Sequence, residues 1–131
     1  MRLTWLRSFH NPVVVRVECG ASCILISVRL SGVGGYEPGE IAESHRVRLS
    51  RSQKDDLLRL ASDVLNYESP PDDEKSIVVD GARWIVEIVG ADGYAASSTH
   101  GSDLRETSPL ADLCDYLVSI SKIEIPEGEY Y

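Results

Sequence analysis

Three stretches in the first half of the chain alternate apolar and polar residues. They are "VVVRVEC" (13–19), "CILISVRL" (23–30) and "ESHRVRLS" (43–50). A period of two residues is typical of a β-strand with one buried face. Only three residues separate the first two stretches, which suits a hairpin loop. We therefore predict a three-stranded antiparallel meander with a polar face rich in arginine.

Two later stretches have helical spacing instead. "QKDDLLRLASDVL" (53–65) repeats apolar residues every three or four positions, and Ser52 with Asp55 resembles a capping box, so a helix of about 14 residues is predicted. Ser108 and Pro109 suit the N-cap and first position of a second helix. Both helices present one apolar face, as helices packed on a sheet do.

Two Asp-Gly pairs, at 80–81 and 92–93, divide "SIVVDGARWIVEIVGADGYAASS" (76–98) into three short predicted strands. The stretch before it, "NYESPPDDEK" (66–75), is predicted to be an exposed loop because tandem prolines end a helix. The predicted order is βββ-α-βββ-α. This order is typical of an α+β fold with an antiparallel sheet and two helices, which we expect to form a single domain over residues 1–131.

The charge is distributed unevenly along the 131 residues, which carry a net charge of −8. Residues 1–65 hold nine basic and seven acidic side chains, whereas residues 66–131 hold four and fourteen. An acidic surface repels a phosphate backbone and attracts a basic partner, so we expect a basic protein partner and no nucleic acid. The chain has neither a long apolar run nor a secretory signal pattern, which predicts no membrane association and a cytoplasmic location.

The cysteines and histidines give no sign of a metal or cofactor. Three cysteines, an odd number, favour reduced thiols over a disulfide framework, although whether Cys19 and Cys23 ever pair stays open. The three histidines, His10, His45 and His100, are far apart in sequence, whereas zinc needs four ligands. No nucleophile elbow or zinc-protease motif occurs. We predict no metal, no cofactor and no catalytic residues.

The segment "SGVGGYEPGE" (31–40) has four glycines and a proline. A phosphate-binding loop leads directly into a helix, but here Glu37 and Glu40 follow and no helix is predicted. A long hairpin connection is the better interpretation, and loops of this length often carry binding residues. Tyr36 at its centre is a candidate partner contact.

These observations favour a non-enzymatic protein-binding module. Its predicted partner-binding residues combine acidic and aromatic side chains: Tyr36, Glu37, Glu40, Asp72, Asp73, Glu74, Trp84 and Glu87. One alternative is an enzyme with a small-molecule site formed by Trp84, Glu87, Tyr94 and His100. Another is a structural or assembly domain that associates through a sheet edge, with a monomer or weak homodimer expected.

The arginines of the predicted meander also allow two interpretations. Arg16, Arg29, Arg46 and Arg48 either bind an anionic ligand or lie on a solvated face, and the second is favoured because antiparallel sheets commonly leave one face in water.

Several segments together resemble a group of short, uncharacterised bacterial proteins. These segments are "FHNPVVVRVE" (9–18), "LSGVGGYEPGEI" (30–41), "DGARWIVE" (80–87), Asp92-Gly93-Tyr94 and the closing "IPEGEYY". The group has a histidine after the tyrosine, whereas Tyr94 is followed here by "AASST". In size, acidity and lack of catalytic motifs, such proteins are similar to bacterial immunity proteins. The resemblance implies an inhibitor of a cognate toxin that acts in the cytoplasm, such as a nuclease.

Overall fold

A computed structural model of the protein describes residues 1–34, 37–67, 81–90, 93–100 and 108–129. It confirms the α+β class, with one six-stranded sheet and two helices. In chain order the elements are β1 (Arg2–Arg7), β2 (Val13–Cys19), β3 (Cys23–Leu30), β4 (Ile41–Arg48), α1 (Arg51–Leu65), β5 (Ala82–Gly90), β6 (Gly93–His100) and α2 (Pro109–Ser119).

The sheet is antiparallel throughout, in the order β4-β3-β2-β1-β5-β6. The meander of β2, β3 and β4 is confirmed, but the prediction placed no strand before it. That omission concerns a central strand, because β1 pairs with β2 on one side and with β5 on the other. The sequence of β1, "RLTWLR", does not alternate clearly between apolar and polar residues. Arg7 lies on the buried face and Leu6 on the other, the reverse of what arginine and leucine usually do.

The predicted helices are confirmed, with one change of capping residue. Ser50, not Ser52, is the N-cap of α1, and its partner in the capping box is Gln53, not Asp55. Because Ser50 caps the helix, β4 ends at Arg48, not at residue 50 as predicted. Ser108 caps α2 as expected, accepting a hydrogen bond from the Ala111 amide. The predicted strand at residues 76–79 lies outside the described residues.

The two faces of the sheet differ. We call the face on which both helices pack the covered face, and the other the open face. Buried side chains of the covered face meet Leu57 and Leu60 of α1 and Leu113 and Leu117 of α2 in one apolar core. The sheet contributes Leu3, Trp5, Val13, Val15, Val17, Cys23, Leu25, Ala82, Trp84, Val86 and Ile88 to this core.

Two tryptophans on the middle strands form the centre of the core. Trp5 of β1 lies directly opposite Trp84 of β5, and their rings stack with centroids 4.1 Å apart and an interplanar angle of 18°. Both side chains are fully buried. The guanidinium of Arg7 lies over the Trp5 ring, 4.7 Å from its centroid. This arrangement gives a buried cation a favourable contact with an aromatic face.

Arg7 is buried, with 1% of the residue exposed, and it connects three segments of the chain. Its Nε and Nη2 donate to the Asn11 carbonyl at 3.0 and 2.7 Å. Its Nη1 donates to the carboxylate of Glu129 at 3.1 Å and to the Glu129 carbonyl at 3.3 Å. These bonds compensate the desolvated charge and hold the C-terminal segment against the end of β1.

The C-terminal segment reaches Arg7 by crossing the covered face. The buried hydroxyl of Ser27 on β3 donates to the Ser121 carbonyl, and the Ser121 hydroxyl accepts from the Ile123 amide at 3.1 Å. Ile123 is buried in the core.

The expectation of reduced thiols is wrong for two of the three cysteines. Cys19 and Cys23 are direct cross-strand neighbours at the β2–β3 hairpin, and they form a disulfide. An odd cysteine count argues against complete pairing but does not exclude one local bond. Cys114 is the remaining cysteine and is buried on α2.

Replacing Arg7 with alanine is expected to lower the free energy of unfolding by about 3 kcal/mol or more, because Glu129 and the Asn11 carbonyl lose a buried partner. Arg51→Ala is the control, since the Arg51 side chain is 96% exposed and its removal should cost less than about 0.5 kcal/mol. Urea unfolding of both variants measures the difference. Equal midpoints would contradict the structural role given to Arg7.

Candidate partner-binding site

Two connections and the C-terminal segment meet at the end of the sheet where β1 stops. We call this region the loop end and define it as residues 8–12, 31–34, 37–40 and 127–129. The glycine-rich connection folds back on itself through a bridge between Val33 and Glu37. It is also bonded to the β1–β2 connection, because the Gly34 amide donates to the His10 carbonyl at 3.2 Å and Asn11 Nδ2 donates to the Gly32 carbonyl at 2.9 Å.

Two glycines are required for this close backbone contact. A Cβ on Gly34 would lie 2.5 Å from the backbone nitrogen and oxygen of Arg7, and one on Gly32 would lie 1.8 Å from the Glu37 carbonyl oxygen. Gly39 has a φ of 73°, a conformation that glycine adopts without strain. The glycines therefore serve packing and turning. The connection leads into β4 and not into a helix, as expected for a hairpin connection.

Apolar and acidic side chains are exposed together at the loop end. Phe9 is 66% exposed and Val33 is 42% exposed. Glu37, Glu40 and Glu127 are exposed as well. Aromatic side chains are enriched in protein interfaces, and charged groups belong to their polar rim. The buried Arg7 fixes this surface, because it holds Asn11 on one side and Glu129 on the other.

Of the predicted partner-binding residues, the structure places Glu37 and Glu40 together at the loop end. Tyr36, Asp72, Asp73 and Glu74 lie outside the described residues. Phe9 was not among the predicted contacts. The signal for it was its position directly before His10-Asn11-Pro12, where a turn exposes a residue that would otherwise be buried.

The structure corrects the prediction for Trp84 and separates Glu87 from the loop end. Trp84 is fully buried and faces the core, so it is not available for contact with a partner. Glu87 lies opposite Arg2, the first residue of β1, whereas the loop end begins where β1 ends. Trp84 and Glu87 are three positions apart on β5, so their side chains point to opposite faces of the sheet.

Glu87 belongs to a small polar cluster on the open face. Its carboxylate accepts hydrogen bonds from Arg2 Nε at 2.6 Å and from the Tyr94 hydroxyl at 2.9 Å. The bond from Arg2, followed by the bond from Tyr94, lowers the pKa of Glu87 below its ordinary value. The same contact with Glu87 raises the pKa of Tyr94. Met1, Arg16 and Val89 border a shallow depression of about 240 Å³ beside the cluster.

This cluster does not form the small-molecule site considered from the sequence. His100 lies opposite Arg83 in the sheet, while Glu87 lies opposite Ala96, four residues along the strand. At about 3.3 Å per residue, the two side chains are about 13 Å apart along the strand, too far for an acid–base pair. Trp84, the fourth member of the set, is in the core.

The buried Cys114 and the ion pair of Glu43 lie outside both the loop end and this cluster. Burial raises the pKa of the Cys114 thiol to about 12, so it stays protonated at neutral pH. Among the residues that the structure describes, no three His, Cys, Asp or Glu side chains are grouped as metal ligands. Glu43 instead forms an ion pair with Arg29 at 2.6 Å and contacts His45 Nε2 at 2.7 Å, on the covered face.

Comparisons with protein families, curated proteins and solved structures found no match to this chain. Within the described ranges, no helix has the length and apolar character needed to cross a bilayer.

Gly34→Ala is expected to destabilise the protein by about 1–3 kcal/mol, because the new Cβ would overlap the Arg7 backbone. Gly20→Ala is the matched control, since a Cβ there meets nothing within 4 Å. It should be neutral or stabilise by up to about 1 kcal/mol. Thermal unfolding of both variants distinguishes them, and equal losses of stability would disprove the close contact.

Arg2→Gln should raise the pKa of Glu87 more than Tyr94→Phe does, because the Arg2 bond is the larger cause of its lowering. Carbon-detected NMR titration of the Glu87 carboxyl measures both shifts.

A carboxyl with a lowered pKa stabilises the fold above its unfolded pKa, and this stabilisation is lost as the pH falls through the folded pKa. Glu87→Gln should therefore reduce the loss of stability on acidification. A larger shift of the Glu87 pKa in Tyr94→Phe than in Arg2→Gln would contradict the order of the two causes given above.

Proposed function

We propose that the protein is a non-enzymatic binding module that inhibits a basic protein partner through its loop end, in the manner of an immunity protein that neutralises a bacterial toxin. The observation that supports this most is that Phe9, Glu37 and Glu40 are exposed on two connections that hydrogen bonds join to each other and to buried Arg7. A preformed surface of this kind binds with little ordering cost.

The charge supports a basic partner. Glu37, Glu40 and Glu127 are exposed at the loop end, and the whole chain carries a net charge of −8. Such a surface attracts a basic protein at long range and speeds association, and close charge pairs then slow dissociation. The resemblance to short bacterial proteins of immunity type adds that the partner is a toxin.

The separation of Glu87 from His100 favours a binding module over an enzyme, because the acid–base pair of the alternative site is not assembled. The proposed compartment is the cytoplasm. A disulfide there is usually reduced, but the Cys19–Cys23 bond lies at the opposite end of β2 from the loop end. The binding surface therefore does not depend on that bond.

The test is affinity purification of the tagged protein from its native cells, with mass spectrometry of the proteins that remain bound at moderate salt. We expect one basic protein in equimolar amount. When expressed alone, this protein should arrest growth, and co-expression of the chain should restore growth.

Charge reversal tests the surface. Glu37→Lys/Glu40→Lys should weaken binding of the purified partner about 10- to 100-fold, because two attractions become repulsions. Asp55→Lys/Asp56→Lys changes the charge by the same amount on the exposed side of α1 and should leave the affinity within about threefold. Equal effects of the two double variants, or the recovery of no protein partner, would refute the proposal.

A further inference from the structure

The open face carries the opposite charge to the rest of the molecule. Among the described residues, its side chains include five arginines and two glutamates, on a chain whose net charge is −8. The arginines are Arg2, Arg16, Arg46, Arg48 and Arg83, and the glutamates are Glu18 and Glu87. A local field of reversed sign selects a different partner from the one that the acidic loop end selects.

The cross-strand register arranges this face in rows. Arg46 of β4, Ile26 of β3, Arg16 of β2 and Arg2 of β1 are successive neighbours in one row. A second row lies two residues away from it on each strand. Its four central members are Val28, Val14, Thr4 and Ile85, from β3, β2, β1 and β5 respectively, and we call them the apolar row. Ser44 of β4 and Ser98 of β6 flank the apolar row at its two ends.

The apolar row is only half buried, although it lies in the middle of the sheet. Leu30 and Leu6, which are also half buried on the same face, widen it into a band that crosses the strands. Four strands at about 4.8 Å spacing make this band about 14 Å long, which matches two to three turns of an α-helix. A row of arginine runs along one side of the band.

Three of the five arginines form no ion pair among the described residues, and one of these, Arg83, donates a hydrogen bond to the Ser98 hydroxyl at 3.4 Å. Arg2 and Arg16 form ion pairs with Glu87 and Glu18, at 2.5 and 2.7 Å. Arg46 and Arg48 on edge strand β4 make no hydrogen bond or ion pair within the part of the chain that the structure describes. Both are exposed and lie beside Ile26 and Ile24.

We propose that the open face binds an acidic amphipathic helix of a partner protein, whose apolar side covers the band and whose carboxylates pair with Arg46 and Arg48. Arginine binds carboxylates through two parallel hydrogen bonds, and an amphipathic helix places its apolar and acidic residues on adjacent sides. Burial of the half-exposed aliphatic side chains supplies affinity, and the arginines fix the orientation of the helix.

The chemistry of the band favours a peptide over a nucleic acid. Proteins that bind single strands stack bases on aromatic side chains, whereas the apolar row of this band consists of aliphatic residues and Thr4. Tyr94 lies outside the band, opposite Val89. This inference does not depend on the proposed function, because it concerns a different face, a different charge and a different partner.

The test uses the isotope-labelled full chain and a synthetic helical peptide of about 14 residues, with leucines on one side and glutamates beside them. We expect NMR shift changes at the amides of Val14, Val28 and Ile85. A control peptide with lysine in place of every glutamate should bind at least about tenfold more weakly. Ile26→Thr should weaken binding of the acidic peptide without unfolding the sheet, because Ile26 is already half exposed.

Arg46→Glu/Arg48→Glu should reduce the affinity for the acidic peptide about tenfold or more. Arg51→Glu/Arg59→Glu on α1 makes the same charge change away from this face and should alter the affinity for the acidic peptide by less than about threefold. Equal effects of the two variants, equal binding of the lysine peptide, or no shift change at about 1 mM peptide would overturn the proposal. So would a face that binds only anionic lipid vesicles, or only a second copy of the chain.

Discussion

The stack of Trp5, Trp84 and Arg7 is the contact on which the other parts of the fold depend. The two indole rings join β1 to β5, which connects the N-terminal meander to the hairpin of β5 and β6. The Arg7 cation extends the stack to the edge of the core, where its five-donor group binds oxygen atoms of Asn11 and Glu129. A lysine has neither the planar group nor the number of fixed donors that this position uses.

The loop end owes its shape to that buried cation. Gly34 packs directly on the Arg7 backbone, and the Asn11 side chain holds Gly32. A long glycine-rich connection is ordinarily free to sample many conformations. Here the buried Arg7 holds the neighbouring backbone in place, and backbone contacts in turn position the exposed residues of the connection. This explains how a loop without a core of its own can present Glu37 and Glu40 in a fixed arrangement.

The sequence predicted local features better than those that depend on distant residues. Alternation identified the strands of the meander, and the Ser108-Pro109 pair identified the start of α2, because each signal lies within a few residues. The pattern missed β1 because Arg7 is buried and Leu6 is half exposed, and contacts with distant residues such as Glu129 make that inversion stable. Trp84 was misjudged for the same reason. An aromatic residue in a strand suits a core or a surface equally, and its stacking partner is 79 positions away.

The central position of β1 also determines when the protein can fold. Arg2 pairs with Glu87, and Leu3 with Val86, so the side of β1 that faces β5 stays unpaired until β5 has formed. Arg7 then needs Glu129, which lies 122 positions further along the chain. Contacts this distant in sequence are slow to form, and an apolar strand that waits for its partner is exposed to aggregation. Formation of the β1–β5 pair, with Trp5 stacked on Trp84, is therefore expected to limit the folding rate of the sheet.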